Sequence, residues 1–372
     1  MSMILCASGR GEKHGGMMKN ITKRLWAALF CAAVLITGAC GKGANENSAN
    51  PTPTSAGAAQ SPEEPTPATM TTPPAEPEAK ATPTGEGNEP SGSAAEGAPY
   101  YVTLPDGMVL ELAGTPQRIV SMGPNITDML FALGAGDRVV GRTDYCDTPA
   151  GVENIPSVGT LFTPDVEKIL SLAPDLVIGS LLFSEETQKQ LSDLGIQVAV
   201  LYDSKSIEGI YDMIRALGAL TGQSEEGEAL AERTKKQIED AAAKYTGGEY
   251  ADFKAPTVYY VSGYGEYGDY TAGGDTYIGQ LLAAAGGENI AQDVEGWVIS
   301  REVLIEADPQ IIIIGDGMAA DFCATPGYEE LSAVKNNRVF EFDLYHLLER
   351  QSHRNAEIFV QLAELFHTPL TP

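Results

Sequence analysis

The sequence predicts an α/β fold in which two lobes with parallel-rich sheets are joined by one long helix, and three observations support it. Short apolar runs alternate with amphipathic helical patterns from about residue 118, which is typical of strands connected by crossover helices. The strand pattern stops at Ser206, and a helical pattern continues to about Tyr245. After Pro256 the alternation returns, so the predicted order is lobe, helix, lobe.

The first lobe is predicted over residues 100–205. Its strands are short apolar runs, as expected for strands buried on both faces. They lie at residues 118–122, 139–141, 175–179 and 197–201. Residues 125–133 predict a helix with one apolar face that ends at glycines. A second helix is predicted to open with Thr163 as its N-cap and Pro164 at its first helical position.

The linking helix is predicted over residues 206–246, where apolar residues repeat with a helical period. Within it, the dipeptide Thr221-Gly222 is the point expected to break or bend the helix. The second lobe is predicted over residues 247–372. Its strands are expected at 257–261, 310–314 and 338–342, and its helices at 276–285 and 355–366.

Residues 1–39 are predicted to be an export signal. Basic side chains precede an apolar run at 25–36, and small residues follow it up to Cys40. The run is shorter than the roughly 20 residues that a spanning helix needs, which favours a signal over a plain membrane anchor. Met17 or Met18 is the expected translation start.

Residues 40–99 are predicted to be a disordered tether. They consist mainly of Pro, Thr, Ala, Ser, Gly and Glu and show no hydrophobic period. Such a segment cannot bury enough apolar surface to offset the entropy lost on ordering. Its proline content favours a semi-extended chain that would hold a folded domain away from a surface.

The charge of the chain argues against a nucleic-acid partner. The formal net charge is −27, and residues 40–372 hold 19 basic and 50 acidic side chains, a balance of −31. Binding to nucleic acid requires a basic footprint. An acidic extracytoplasmic protein would instead suit a basic partner.

Several aromatic residues are expected in loops between the predicted elements. Such side chains present flat apolar faces with a polar handle, which suits a large planar or cyclic ligand. The alternative is that they cover the core. The residues are Tyr145, Phe162, Tyr264, Tyr270 and Trp297.

Two classes of function are weighed: a protein that binds a ligand, and an extracytoplasmic enzyme that is chelatase-like or hydrolase-like. An enzyme of this kind would need a nucleophile with a base, or a metal triad. Cys146 is the candidate nucleophile in the folded part, and no partner is visible beside it. His346 and His353 could ligate a metal, but no paired motif stands beside them. The sequence therefore favours binding, with no resident metal or cofactor, and no pairing of Cys146 with Cys323 is indicated.

A set of phrases, in order and spacing, resembles the substrate-binding proteins of ABC importers for cobalamin, ferric siderophores and haem. They lie at residues 118–121, 141–147, 158–159, 166–178, 194–198, 285–290, 299–304 and 307–311. The resemblance covers roughly residues 116–368. It implies two Rossmann-like lobes joined by a rigid helix, with the ligand in the cleft between them. Clefts between lobes are favoured ligand sites on physical grounds as well.

A second resemblance concerns Cys40, whose setting is similar to the lipobox of bacterial lipoproteins. Thr37 stands where that motif usually has leucine. The resemblance implies cleavage before Cys40 and a lipid on its side chain. The protein would then be anchored at the extracytoplasmic face of the cell membrane.

The family resemblance also implies partners and docking residues. The partners would be an ABC permease dimer with its cytoplasmic ATPase, met by a monomer of this chain. Glu167 and Glu302 resemble the docking pair, one carboxylate on each lobe, that meets permease arginines. Charged pairs of this kind mainly set register and encounter rate. The alternative for Glu167 is a favourable acid in the first turn of a helix.

The same resemblance implies a set of ligand residues. Tyr145, Tyr270 and Trp297 fall where related cobalamin binders place cleft aromatics, and Phe162 is offset by one from such a position. Tyr264 lies in the same loop as Tyr270. Asp343, also a predicted ligand residue, ends a strand that Arg350 follows, and related proteins often place an arginine here to meet a carboxylate, phosphate or corrin amide. Extra residues between these two leave Arg354 as an alternative. The aromatics favour a corrinoid, with ferric siderophore and haem left open.

Overall fold

The computed structural model describes residues 2–3 and 99–369, except 181–182, 203, 247–249, 251 and 267. Its strands are β1 Ser2–Met3, β2 Tyr100–Thr103, β3 Val109–Leu112, β4 Ile119–Met122, β5 Val139–Arg142, β6 Leu176–Gly179, β7 Gln197–Val200, β8 Thr257–Tyr260, β9 Asp269–Tyr270, β10 Glu288–Asn289, β11 Val298–Ile299, β12 Ile311–Gly315 and β13 Val339–Phe342. Its α-helices are α1 Pro124–Ala132, α2 Val166–Ser171, α3 Glu185–Asp193, α4 Ile207–Leu220, α5 Ser224–Lys244, α6 Tyr277–Ala284, α7 Arg301–Ala307, α8 Ala319–Ala324, α9 Ser332–Lys335, α10 Leu344–Leu347 and α11 Asn355–Phe366. Every strand predicted from the sequence is present, with bounds that differ by one or two residues.

The two lobes have the same sheet topology. Four parallel strands form the first sheet in the order β5-β4-β6-β7. Four parallel strands of the second sheet have the order β10-β8-β12-β13. In both lobes the chain therefore places its second strand beside the first and its third strand on the other side. Helix α2 precedes β6 in one lobe as α7 precedes β12 in the other, so these helices occupy equivalent positions.

Strand β1 extends the second sheet. It pairs antiparallel with β13, with Ser2 opposite Glu341 and Met3 opposite Phe340. Residues 1–39 were predicted to lie outside the fold, so this pairing was not expected. The free edge of β13 offers unpaired backbone N–H and C=O groups, which readily accept a further strand.

The linking segment 206–246 consists of two helices and not one, and the break falls at Thr221-Gly222, where the sequence predicted a break or bend. Helix α4 ends before Thr221, and Gly222 has a φ of 67°, the left-handed conformation that terminates helices. Helix α5 then folds back against α4, with Arg215 contacting Glu228 at 2.7 Å and Glu232 at 2.9 Å. The long linking helix is therefore α5 alone, whose 21 residues span about 31 Å.

Close packing of α4 on α5 depends on Gly218. A Cβ added there would meet the Gln223 carbonyl oxygen and the Gly227 Cα, each at 2.8 Å. We expect Gly218→Ala to lower the free energy of unfolding by about 2 kcal/mol, because overpacking outweighs the gain in helix propensity. Urea unfolding measures this change. The exposed Ala229→Gly variant calibrates propensity at about 1 kcal/mol; a Gly218→Ala protein more stable than wild type would contradict the packing.

The N-cap of α2 is Asp165, so the predicted cap at Thr163 is wrong. The Asp165 carboxylate accepts a hydrogen bond from the Lys168 backbone N–H at 3.0 Å. Thr163 instead shares a hydrogen bond with the Thr160 hydroxyl at 2.8 Å. Pro164 thus precedes the cap and does not lie in the first turn.

One apolar core extends through both lobes. Successive side chains of a strand point to opposite faces, so Ile311 and Ile313 join this shared core while Ile312 and Ile314 pack in a separate cluster of the second lobe. Leu230 of α5 belongs to the shared core together with residues of both sheets. Continuous packing of this kind resists separation of the lobes. Among the described residues, no helix is both long and apolar enough to cross a membrane.

Candidate ligand-binding site

The predicted ligand residues follow the carboxyl ends of parallel strands in both lobes. Tyr145 and Phe162 follow β5, Tyr264 and Tyr270 follow β8, Trp297 follows β10, and Asp343 and Arg350 follow β13. In α/β sheets, ligands bind outside the carboxyl ends of the strands. Residues that are scattered in sequence thus follow the same edge of each sheet, the edge formed by the carboxyl ends of its strands.

Arg350 reaches from the second lobe to the loop that carries Tyr145. Its Nη2 donates to the Tyr145 carbonyl oxygen at 3.3 Å, and its Nη1 donates to the Thr148 hydroxyl at 3.2 Å. The side chain is only 5% exposed. Arg354 instead lies 3.4 Å from Glu357 on its own helix. Of the two candidate arginines, Arg350 is therefore the one that contacts the first lobe.

Asp147 joins the lobes, and sequence reasoning gave it no role. Its Oδ1 lies 2.7 Å from Arg350 Nη1, and its Oδ2 lies 3.0 Å from His346 Nε2. Burial acts to raise the pKa of Asp147. The hydrogen bonds and charges of Arg350 and His346 outweigh burial and hold this pKa below its usual value, so the carboxylate is ionised at neutral pH.

Asp343 orients the ring of His346. Its carboxylate caps α10 by accepting the His346 backbone N–H at 3.2 Å, and it lies 2.7 Å from Nδ1 of the same residue. Both ring nitrogens of His346 thus face carboxylate oxygens. Asp343 is predicted to contact ligand, and in the structure its carboxylate holds a histidine that points at the first lobe.

Tyr270 and Trp297 lie on one two-stranded ribbon. Strands β9 and β11 pair antiparallel, with Tyr270 opposite Val298. The Thr271 backbone N–H donates to the Trp297 carbonyl oxygen at 2.9 Å. Trp297 is half-buried against the shared core. The structure therefore places the backbones of these two predicted ligand residues on adjacent strands, but Trp297 stands beside Thr271, so the pairing does not bring its ring onto the face of Tyr270.

Tyr264 and Phe162 are placed differently. Tyr264 lies in the loop before Tyr270, but its ring makes edge contacts with Phe322 at 5.0 Å and Tyr328 at 5.9 Å. These contacts direct it toward the core cluster of the second lobe. Phe162 lies ahead of α2 and keeps 44% of its surface exposed. Their contact with ligand stays a prediction.

A buried charge network connects this ribbon to α7. Asp269 of β9 accepts a hydrogen bond from the Tyr328 hydroxyl and lies 3.1 Å from Arg301 Nε at the start of α7. Arg301 also donates to Tyr328 at 2.7 Å and to the Gly265 carbonyl oxygen at 3.1 Å. Burial and the neighbouring Asp269 raise the pKa of Tyr328, which keeps its hydroxyl protonated. The ribbon and α7 are therefore held in a defined relative position.

Glu167 and Glu302 occupy matching positions on equivalent helices. Each is the second residue of its helix, α2 or α7, and each follows a capping side chain, Asp165 or Ser300. Both are exposed. Interactions with its own backbone N–H and with Ser300 lower the pKa of Glu302. The sequence expectation of one carboxylate near the start of a helix in each lobe is confirmed in its geometry.

Cys146 has no base beside it among the described residues. Its thiol is buried and lies 3.0 Å from the Thr127 hydroxyl and 3.2 Å from the Thr143 hydroxyl. It is a free thiol, whereas Cys323 is in a disulfide bond, so the two are not joined. Hydroxyl neighbours do not activate a thiol as a nucleophile.

No group of three or more His, Cys, Asp or Glu side chains that could hold a metal ion occurs in the described part of the chain. His353 is largely buried among Asp128, Glu357, Arg354 and Arg233, and burial lowers its pKa. It lines a cavity of about 590 Å³ between α5 and α11. A second cavity of about 590 Å³ adjoins Phe253 and His367. Neither is lined by a residue predicted to contact ligand.

Comparison with known proteins bears on this architecture. The periplasmic binding protein family matches residues 119–345. The ABC transporter substrate-binding lipoprotein YvrC of Bacillus subtilis strain 168 is 32% identical over 254 residues, covering 67% of this chain and 79% of that protein. The cobalamin-binding protein of Halobacterium salinarum strain ATCC 29341 is 30% identical over 285 residues, covering 72% and 74%. The periplasmic haem-binding protein RhuT from Roseiflexus sp. RS-1 superposes with a TM-score of 0.60 at 29% identity, covering 68% of this chain and 98% of that one.

Two lobes of equal topology, with aromatic and charged side chains at the carboxyl ends of their strands, are typical of a two-lobed ligand-binding protein. The chain belongs to the periplasmic binding protein family. The family resemblance identified from the sequence phrases is thereby confirmed.

Proposed function

We propose that this chain is the substrate-binding component of an ABC importer and that it captures a metal chelate, foremost a corrinoid, in the cleft between its lobes. One observation carries the ligand site: Arg350 of the second lobe contacts the loop of Tyr145 in the first. This contact supports a ligand site that draws on residues of both lobes. Relatives named for cobalamin and haem support a large metal chelate as the cargo.

Corrinoid ranks ahead of haem because the predicted ligand contacts are mainly aromatic and the nearby histidine is engaged. Haem iron is commonly held by an axial histidine. Both ring nitrogens of His346 face carboxylates, so ligation would require breaking one of these contacts. Haem remains the second candidate, since the similar RhuT structure is that of a haem-binding protein. A ferric siderophore is the third.

Binding is proposed rather than catalysis. The thiol of Cys146 is buried between two threonine hydroxyls, which supports a structural role for it. The extracytoplasmic chelatase or hydrolase alternative would require a base within hydrogen-bond reach of a nucleophile. No resident cofactor is proposed; the metal would belong to the cargo.

The partners proposed are a permease dimer and its ATPase, met by a monomer of this chain at Glu167 and Glu302. Attachment to the extracytoplasmic face of the membrane is proposed through a lipid on Cys40, which lies outside the described residues. The acidic balance of residues 40–372 supports a basic docking surface on the permease.

Titration of the mature protein with cyanocobalamin, haemin and a ferric siderophore tests the ligand class. The chain has two tryptophans, Trp26 and Trp297, and Trp26 would leave with the signal. We expect the emission of Trp297 to be strongly quenched on binding. Trp297→Ala should weaken binding by about 2 kcal/mol, as expected for a buried aromatic anchor, or roughly thirtyfold in Kd.

Absorbance of the chelate measures Kd in the variant that lacks tryptophan. Trp297→Phe is the matched control, because it keeps an aromatic face and should lose less affinity. An unchanged Kd for Trp297→Ala would make Trp297 a residue that only covers the core. Binding of none of the three chelates by wild type would refute the proposed ligand class.

A further inference from the structure

A single carboxylate from the first lobe spans two donor groups of the second. Asp147 uses one oxygen for Arg350 at 2.7 Å and the other for His346 at 3.0 Å. Arg350 is 5% exposed and His346 28%, whereas Asp147 is 48% exposed. The donors are thus largely enclosed, and the acceptor is the more accessible member of the group.

The two donor groups have supports of their own. Asp343 holds the ring of His346 at 2.7 Å, on the side opposite Asp147. The Arg350 backbone carbonyl accepts from the buried Asn355 amide at 3.2 Å. Together these contacts form a receptor for one carboxylate-sized anion, whose position does not depend on Asp147 alone.

Cys146, the residue before Asp147, is held within the first lobe by its backbone. Among the described residues, the Asp147 carboxylate is held only by its contacts with the second lobe. The Cys146 backbone N–H donates to the Thr143 carbonyl oxygen at 3.1 Å, and the Cys146 thiol is buried. A ligand group that takes Nη1 of Arg350 and Nε2 of His346 must displace the Asp147 carboxylate, because Asp147 occupies these two donor atoms. The shared core joins the lobes, so this exchange would need movement of the loop rather than separation of the lobes.

We propose that Asp147 is a built-in competitor of the ligand, whose carboxylate holds the place on Arg350 and His346 that an anionic group of the bound chelate takes. This inference rests on the proposed function and narrows it to chelates that carry a carboxylate or phosphate group. Only ligands with such a group recover the charge-assisted contacts that are lost when Asp147 leaves. A ligand without an anionic group would displace Asp147 and leave the nearly buried guanidinium of Arg350 without a carboxylate partner. Leaving that charge unpaired costs free energy of binding.

Asp147→Asn in the mature chain tests this proposal, because it keeps the shape of the side chain and removes its charge. We expect the variant to bind cyanocobalamin or haemin, whichever wild type binds, about tenfold more tightly, since a competing charged contact is weakened. Dicyanocobinamide, which lacks the phosphodiester of cyanocobalamin, should gain no affinity. Asp144→Asn is the matched control: it lies in the same loop, and its carboxylate accepts from Ser157 instead.

The sign of the effect distinguishes this role from direct contact. If Asp147 were a ligand contact, Asp147→Asn would weaken binding, and weaker or unchanged binding overturns the competitor role. Equal tightening for dicyanocobinamide would overturn the replacement by an anion. Hydrogen exchange of residues 143–150 gives a readout that needs no ligand: it should accelerate in Asp147→Asn and not in Asp144→Asn. Unaltered exchange would also refute the proposal.

The result separates the two hypotheses. If wild type binds a chelate and Asp147→Asn binds it no better, only the competitor role fails. If neither wild type nor Asp147→Asn binds cyanocobalamin, haemin or a ferric siderophore, the proposed function and the competitor role both fail. Arg350→Met should remove the gain from Asp147→Asn in the double variant, because the released donor is then absent.

Discussion

Reversing the charge of both Glu167 and Glu302 to lysine is expected to abolish uptake and to leave the Kd for ligand nearly unchanged. Each glutamate is the second residue of a helix, and the two helices hold equivalent positions in lobes of equal topology. Two like carboxylates at repeated positions suit a permease dimer that presents the same basic group twice. Lysines would place positive charge against that surface, and like charges in contact cost several kcal/mol.

The fold should tolerate these substitutions because both side chains are exposed. A lysine in the first turn of a helix loses only a favourable interaction with the helix dipole, which is weak for a side chain exposed to solvent. Glu186→Lys is the matched control, since Glu186 is the exposed second residue of α3 and follows the capping Ser184. Uptake of the radiolabelled chelate and titration of the pure variant measure the two effects. Transport at the wild-type rate by the double variant would exclude the docking role, and loss of ligand binding would place the glutamates in the cleft instead.

Substituting Cys40 with alanine is expected to leave the precursor uncleaved and without lipid. The thiol is the group that would carry the lipid, and alanine offers no equivalent nucleophile. Metabolic labelling with a fatty acid, followed by gel analysis of the precursor and mature forms, measures both steps. Cys31→Ala is the control, because Cys31 lies within the apolar run and no small-residue stretch precedes it. Undiminished labelling of the Cys40→Ala protein would rule out Cys40 as the residue that carries the lipid.

The relation of the aromatic ribbon to the docking helix adds a reason for a rigid site. Asp269 is buried and contacts both Tyr328 and Arg301, the residue next to Glu302. Tyr270 follows Asp269 directly and pairs with the strand that leads into α7. The proposed ligand contacts and the proposed docking carboxylate of the second lobe therefore rest on one hydrogen-bonded framework.

Much of the fold could be predicted because its strands are short apolar runs. Residues 311–314 are four consecutive isoleucines that are buried on both faces of the sheet, so their burial does not depend on register. Helix α11 was predicted with its observed bounds, since its apolar face repeats without interruption. The hairpin of β2 and β3 was not predicted. The signal for it was present, since Pro105-Asp106-Gly107 is a turn sequence between two apolar runs.

The break between α4 and α5 shows where periodicity misleads. Apolar residues continue at helical spacing past Thr221, so the pattern alone reads as one helix. Whether Gly222 bends the chain or reverses it depends on what the second helix can pack against. Gly218 and Gly227 supply that surface, because neither carries a side chain to hold the helices apart.

By itself, the sequence determined the parallel α/β lobes, the family, the export signal pattern and the residue types available for a ligand, because these depend on local periodicity and on motifs close in the chain. Only the tertiary structure decided which of those residues meet. Asp147 and Arg350 lie about two hundred positions apart, and no periodicity relates them. Their contact arises because two separate sheets bring the carboxyl ends of β5 and β13 together around a shared core. A buried arginine is stable only when its charge is paired, and Asp147 provides the carboxylate.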